Sequence, residues 1–231
     1  LPPGATIGIL GGGQLGRMLS VAAARLGYKT HIFEPGQNPP AGDVAHAVTT
    51  ASYDDSAALT AFAASVDVMT YEFENIPTSA LDILEALRPI RPGRRALAIS
   101  QDRIAEKEFL SSLGLTVAPF AAVNNAADLD AAITKIGCPA ILKTTRLGYD
   151  GKGQARIMTP DDAAAALATM NGADAVLEGF IDFTHEVSVI AARGLDGSVS
   201  AYDPGENVHR AGILHSTTIP AKLSPSQRTD A

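Results

Sequence analysis

Three groups of residues have the types and spacing to do chemistry. The first is Gly11-x-Gly13-x-x-Gly16, which follows the apolar run Thr6 to Leu10 and precedes a helical stretch from Arg17 to Leu26. Glycines there let the backbone approach an anion, and the next helix offers free N–H groups and a partial positive charge. Glu34 stands about 20 residues further on, where a dinucleotide fold places its ribose-binding carboxylate. These residues leave three readings open: a dinucleotide site, a site for a phosphorylated substrate, or a bare tight turn. The second group is Lys143, at the end of a predicted strand, followed by a stretch containing Gly148, Gly151 and Gly153. Such a segment is cationic, and its N–H groups can fold over a polyphosphate. It can equally be a glycine-rich hairpin with a solvated lysine. It is not a P-loop, because Lys152 is followed by Gly153 rather than Ser or Thr. The third group is Glu178 and Glu186, each beside an apolar segment. A carboxylate can accept from an adenine amino group or from ribose hydroxyls, while the backbone between them reads the adenine edge. Two solvated strand-end glutamates are the simpler alternative.

Other chemistry finds little support. No serine sits in Gly-x-Ser-x-Gly, so acyl transfer through a serine nucleophile is not indicated. His31, His46, His185 and His215 read as structural or surface residues, and Glu106-Lys107-Glu108 as an exposed helix face. The one cysteine, Cys138, can form neither an internal disulfide nor a multi-thiolate zinc site. The 231 residues carry 18 Lys and Arg against 25 Asp and Glu, a net charge of −7, which argues against binding nucleic acid or an anionic membrane. No apolar run approaches the roughly 20 residues needed to span a bilayer, and the first residues do not read as a leader peptide. A soluble, cytoplasmic protein is expected.

The elements that must position these groups fall into two patterns. In the first hundred residues, strands at Thr6 to Leu10, Thr30 to Phe33, Ala45 to Val48 and Val66 to Tyr71 alternate with helices. One helix is marked at its start by Asp54 and Asp55, and another has Thr78 as its predicted N-cap. That alternation implies a parallel sheet covered by helices on both faces. Ligands then bind beyond the carboxyl ends of the strands, where the Gly11 turn and the Glu72 loop both fall. Near residue 100 the pattern changes. A helix runs through Leu113, another from Asp128 to Ile136, and an Ala-rich one from Asp161 to Met170. Strands are expected at Ala140 to Leu142, Gly153 to Met158 and Ala175 to Leu177, which makes an α+β module.

Taken together, these segments resemble the ATP-grasp enzymes, and within them those of purine biosynthesis that carboxylate an aminoimidazole ribonucleotide. The strings that carry the resemblance are Gly11-Gly12-Gly13-Gln14-Leu15-Gly16-Arg17-Met18, Tyr71-Glu72-Phe73-Glu74-Asn75-Ile76-Pro77, Gln101-Asp102-Arg103 and Gly148-Tyr149-Asp150-Gly151-Lys152-Gly153-Gln154. Glu178 with Glu186 and Asn207-Val208-His209 add to them. The resemblance implies a Rossmann-like parallel-sheet domain over 1–100, an ATP-grasp lid over 101–180 and the start of the ATP-grasp C-terminal domain over 181–231, cut short. It implies an enzyme that uses ATP, Mg2+ and bicarbonate to carboxylate the exocyclic amine of 5-aminoimidazole ribonucleotide, and a homodimer. Carried over by position, Arg103, Lys143, Gly148, Tyr149, Asp150, Gly151, Lys152, Gly153, Gln154, Glu178, Gly179, Phe180, Ile181, Glu186 and His209 would contact ATP. Gln14, Leu15 and Glu72 would face the ribonucleotide, whose phosphate the glycine turn would cradle.

One departure from the family pattern is large. After Glu186 the only carboxylates are Asp196, Asp203, Glu206 and Asp230, and none makes the Glu then Asn-Glu pair that holds magnesium in this superfamily. Asp196 lies in Gly194-Leu195-Asp196-Gly197, a hairpin turn, so metal ligands are expected outside this chain and none is assigned. Three alternatives are kept. A formate-dependent phosphoribosylglycinamide transformylase shares the architecture, although Gln14-Leu15-Gly16-Arg17-Met18 favours the carboxylating enzyme. A nicotinamide-dependent oxidoreductase would read through Gly11, Gly16 and Glu34. A non-catalytic nucleotide-binding fragment is the third.

Overall fold

The structure is a computed structural model that describes residues 1–147, 153–210 and 213–231. It divides into two compact units, Leu1–Leu115 and Thr116–Ala231.

In the first unit the order is β1 (Thr6–Leu10), α1 (Gln14–Arg25), β2 (Lys29–Phe33), a short 3-10 turn at Pro40–Asp43, β3 (Ala47–Thr49), α2 (Ser56–Ala64), β4 (Val68–Tyr71), α3 (Thr78–Glu85), α4 (Arg94–Ser100) and α5 (Arg103–Ser112). The four strands are parallel in the order β3-β2-β1-β4. Alternate residues of the strands face opposite sides, as the period of two requires. Leu10, Phe33 and Met69 pack with Leu59, Phe62, Leu81 and Leu84 of α2 and α3 in the larger core. Ile9 and Ile32 pack with Ala41 in a much smaller core on the α1 side. Gly8 is a glycine because a Cβ there would come within 2.8 Å of the Phe62 ring.

The helix starts are set by local chemistry. Asp55 caps α2, its carboxylate accepting from the N–H groups of Ala57 and Ala58, and Asp102 caps α5 through Ile104 and Ala105. The expectation of Thr78 as an N-cap is corrected. Pro77 holds the cap position with fixed backbone, no side-chain cap is made, and Thr78 is the first helical residue. Likewise α1 begins at Gln14, three residues before the apolar periodicity shows it, because Gly13 already adopts the extended cap conformation.

The second unit comprises β5 (Phe120–Val123), α6 (Ala126–Ile136), β6 (Ala140–Thr144), β7 (Gln154–Ile157), α7 (Ala163–Thr169), β8 (Ala175–Gly179), β9 (Val187–Ser188), β10 (Ala191–Arg193), β11 (Val199–Ala201), β12 (Gly205–Arg210), β13 (Ile213–Thr218) and α8 (Pro225–Asp230). The central sheet is antiparallel, β5-β8-β6-β7. One of its faces, through Leu142, Ile157, Ala175 and Leu177, packs on Leu129, Ile133 and Ala166 of α6 and α7. Helix α6 starts two residues before the expected Asp128, capped by Asn125. The expected hairpin at Gly194 to Gly197 joins β10 to β11, with Asp196 Oδ1 accepting from both Ser198 N and Oγ. No helix among the described residues is long and apolar enough to cross a membrane.

Candidate functional site

In the first unit the Gly11 turn and Glu72 follow the adjacent strands β1 and β4, on either side of the point where the strand order reverses. This is where an open α/β sheet forms its ligand crevice. The donors of the turn are already used. Gly11 N–H donates to Phe33 O at 3.0 Å, Gly12 N–H to Glu34 Oε2 at 2.9 Å and Gly13 N–H to Glu72 Oε1 at 2.7 Å. The expectation that the N–H groups of Gly11, Gly12 and Gly13 cradle a phosphate meets a structure in which the first is spent on a backbone carbonyl and the other two on carboxylates, which repel an anion. The donors left in the first turn of α1 are the N–H groups of Gln14, Leu15 and Gly16. Glu34, which the oxidoreductase reading needs for a ribose, spends its other oxygen on Gly36 N–H at 2.9 Å.

Glycine is required at two places in this turn. Gly11 has φ +99°, and a Cβ on it would lie 2.8 Å from Glu72 Cγ. A Cβ on Gly16 would lie 2.9 Å from the carbonyl oxygen of Gly11, so the helix meets the turn at backbone distance.

Tyr53 belongs to the same cluster, and no sequence motif points to it. Its ring stacks on Phe33 with centroids 5.5 Å apart, and its hydroxyl is buried beside the backbone of Gly11. Burial first, then the negative charges of Glu34 and Glu72, push the phenol well above its ordinary value, so it stays a protonated donor. The Glu72 loop is tied down by Gln101, a buried side chain whose amide donates to Ile76 O at 2.6 Å. Gln101 and Asp102 thus do structural work, while Arg103 opens α5, half-buried, in this same unit.

In the second unit the face of the central sheet opposite α6 and α7 carries the chemistry. Antiparallel register sets Lys143 across from Gln154 and from Val176, and Glu178 across from Ile141. Lys143 and Glu178 are therefore diagonal neighbours on one face, and Lys143 Nζ meets Glu178 Oε2 at 2.8 Å. Glu178 is only 8% exposed, so the lysine offsets a carboxylate that burial would otherwise penalise. At the end of β8, Gly179 N–H donates to Pro119 O and Phe180 N–H to Pro139 O. The N–H of Ile181 is left without a partner among the described residues. Phe180 and Ile181 are 43% and 49% exposed. Glu186 and His209 are brought together separately, with Nδ1 3.2 Å from Oε1, because Asn207 N–H donates to Glu186 O as β12 pairs with β9. Gly153, with φ +72°, accepts from Thr144 N–H and returns the chain beside β6. Gly148, Tyr149, Asp150, Gly151 and Lys152 lie outside the described residues.

His31 is structural, as expected, its ring nitrogens 2.8 Å from Ser65 Oγ and Thr49 Oγ1 and its edge against Phe62. Among the described residues no group of three His, Cys, Asp or Glu side chains could hold a metal ion. The residues fit a nucleotide, with a cation, a buried carboxylate and an exposed apolar strand end, but they do not make a magnesium site.

An antiparallel sheet with a lysine–glutamate pair on its open face, following a parallel-sheet unit with a glycine turn, defines a nucleotide-binding class. The chain belongs to the ATP-grasp family. Residues 108–231 match the ATP-grasp domain, and residues 4–101 match the ribonucleotide synthetase preATP-grasp domain. More particularly, it is 52% identical over 97% of its length to an N5-carboxyaminoimidazole ribonucleotide synthase of Brucella melitensis, and 40% identical over 96% to that of Bacillus subtilis. It spans 62% and 58% of those two proteins. Among solved structures, it aligns along its whole length with 62% of the N5-carboxyaminoimidazole synthetase of Staphylococcus aureus complexed with ADP, at TM-score 0.94 and 39% identity. It aligns over 99% of its length with 60% of the Aspergillus clavatus enzyme complexed with ADP and 5-aminoimidazole ribonucleotide, at TM-score 0.88 and 27% identity.

Proposed function

We propose that this chain carries the ATP site and part of the substrate site of an enzyme that joins bicarbonate to the exocyclic amine of 5-aminoimidazole ribonucleotide, giving N5-carboxyaminoimidazole ribonucleotide, ADP and phosphate in purine biosynthesis. The observation that carries this reading is the Lys143–Glu178 pair on the sheet face away from α6 and α7, with Lys143 directly across from Gln154. In that reading Lys143 holds a nucleotide phosphate as a point charge, while Glu186 with His209 serves the ribose side. Glu178, Gly179, Phe180 and Ile181 line the adenine, whose ring nitrogen takes the free N–H of Ile181. Gly148 to Lys152, with Gly153 and Gln154, complete the contacts.

The ribonucleotide faces Glu72 and the N–H groups of Gln14 and Leu15. Glu72 Oε1 is anchored on Gly13, which leaves Oε2 to accept from the substrate amine. Phosphoryl transfer from ATP to bicarbonate yields ADP and carboxyphosphate. The amine nitrogen then takes the carboxyl carbon, the C–O bond to phosphate breaks, and one proton leaves the nitrogen. The protein's part is positioning and charge stabilisation. Magnesium, when bound, would offset the charge that develops on the transferring phosphate; the described residues offer no cluster of carboxylates to hold it. We also propose a functional division at residues 100 and 180, a homodimer, and a cytoplasmic setting without nucleic-acid or membrane partners. The test is phosphate release from ATP by the protein as its gene encodes it, with the ribonucleotide and bicarbonate omitted in turn. Release that needs both supports the proposal; release that needs formate and glycinamide ribonucleotide instead would replace it with the transformylase.

A further inference from the structure

Every strand of the parallel sheet sends a residue to one place. The Gly11 turn follows β1, Glu34 follows β2, Glu72 follows β4, and Tyr53 follows β3 across a short loop. Local chemistry fixes Tyr53 there. Asp55 N–H donates to Ser52 O at 3.0 Å and Asp54 N–H to Ser52 Oγ at 3.2 Å, which closes a turn around Tyr53, and Asp55 then caps α2. The half-buried side chain packs on the larger core, its ring stacked on Phe33. Its hydroxyl oxygen is buried beside the backbone of Gly11. Glu72 rests against the same residue, since a Cβ on Gly11 would lie 2.8 Å from both Cγ and Oε1 of Glu72.

We infer that Tyr53 is a positioning residue for the ribonucleotide, acting through the Gly11 turn on Glu72. The Gly11 N–H, already shared with Phe33 O, can meet only the lone pairs of the phenol oxygen, because an N–H offers no acceptor. The phenol hydrogen is left to point elsewhere, and the charges that reach it are those of Glu34 and Glu72. Both carboxylates are drawn to the turn by neighbouring N–H groups, those of Gly12 and Gly13. Like charges gathered there repel, and a neutral donor beside them offsets the repulsion where water does not reach. A phenol suits that place, since burial keeps it protonated and it adds no third negative charge. Phenylalanine would fill the same space and keep the same stack, so the oxygen is the part that packing alone does not explain. With its hydroxyl buried, Tyr53 does not touch the ribonucleotide; it holds the carboxylate that does. This inference rests on the role that the proposed function gives to Glu72.

The test is steady-state kinetics of the protein as its gene encodes it, with 5-aminoimidazole ribonucleotide, ATP and bicarbonate varied in turn, for the wild type, Tyr53→Phe, Glu72→Ala and the double variant. Tyr53→Phe removes one buried oxygen and keeps the ring, so its melting temperature should match that of the wild type. Its KM for the ribonucleotide should rise about fivefold to tenfold, the scale of one neutral hydrogen bond, with kcat and the KM for ATP unchanged. In the Glu72→Ala background the same substitution should change nothing further. Equal rises for ATP and the ribonucleotide in Tyr53→Phe would mark a structural residue and overturn the inference. A rise that persists in full beside Glu72→Ala would overturn it too, because Tyr53 would then act independently of Glu72. If Glu72→Ala raises the KM for the ribonucleotide and Tyr53→Phe does not, the inference alone falls. If Glu72→Ala leaves that KM at the wild-type value, the role proposed for Glu72 falls and the inference with it.

Discussion

At the scale of single residues, what decides the site is which donors and acceptors are already spent. Glu72 shows this best. One oxygen of its carboxylate is committed to Gly13 N–H, which orients the side chain, and the proposed function gives the other to the ribonucleotide. Glu72→Ala removes both and should raise the KM for the ribonucleotide while leaving that for ATP nearly unchanged. The loss of a charge-assisted bond is worth about 1.5–3 kcal/mol, or roughly 10- to 150-fold. Steady-state kinetics with each substrate varied in turn is the check, and an equal loss for ATP would show that the two sites are wrongly divided. Glu72, Lys143, Glu178 and Glu186 were all visible in the sequence as polar residues at strand ends. Their partners were not. Nothing in the chain order says that Lys143 meets Glu178, because that follows from the register of β6 on β8. Tyr53 was invisible altogether, since only the packing of its ring on Phe33 brings its hydroxyl to the turn.

Elements explain why the glycine turn was legible as a turn while the partners of its N–H groups were not. The strand, glycines and helix follow from sequence pattern alone, although the helix begins three residues earlier than its apolar pattern shows. Whether the turn's N–H groups are free depends on residues from β2 and β4 ends, which meet it only in the folded sheet. Gly11→Ala tests how tightly the three are coupled. Its left-handed backbone alone should cost about 1–2 kcal/mol, and the added Cβ would press on Glu72 at 2.8 Å. The variant should therefore melt at a lower temperature and also bind the ribonucleotide more weakly, because the displaced Glu72 no longer holds its place. A variant with wild-type melting and binding would show that the turn accommodates a side chain. Helix boundaries moved for similar reasons of local geometry: Pro77 rather than Thr78 takes the cap of α3, and α6, capped by Asn125, starts two residues before Asp128.

For the whole molecule, stability against pH should carry the mark of His31. Burial, and next the neighbouring His46, lower its pKa from 6.5, so it is neutral in the native protein. Below pH 6.5 the unfolded chain takes up a proton that the native state resists, so stability falls as pH drops from there through the lowered native value. Melting temperatures measured between pH 7.5 and 5.5 should decline more steeply for the wild type than for His31→Gln; equal slopes would count against this linkage. A change of strand and helix pattern near residue 100 shows in the sequence, whereas the compact units divide between Leu115 and Thr116, with α5 in the first. The long exposed stretch of β9 to β13 could not be read there, since its strands are two to six residues long and lack a clear alternation. The central claim is that the open sheet face of the second unit, and not the glycine turn of the first, holds the nucleotide. Calorimetric titration of the chain with ADP and with NADH, for the wild type, Lys143→Ala and Glu34→Ala, tests it most directly, with melting curves to show that each variant is folded. The account predicts that ADP binds, that Lys143→Ala weakens it by about 1.5–3 kcal/mol, that Glu34→Ala leaves it unchanged and that NADH does not bind. NADH binding that disappears in Glu34→Ala, with ADP indifferent to Lys143, would contradict it.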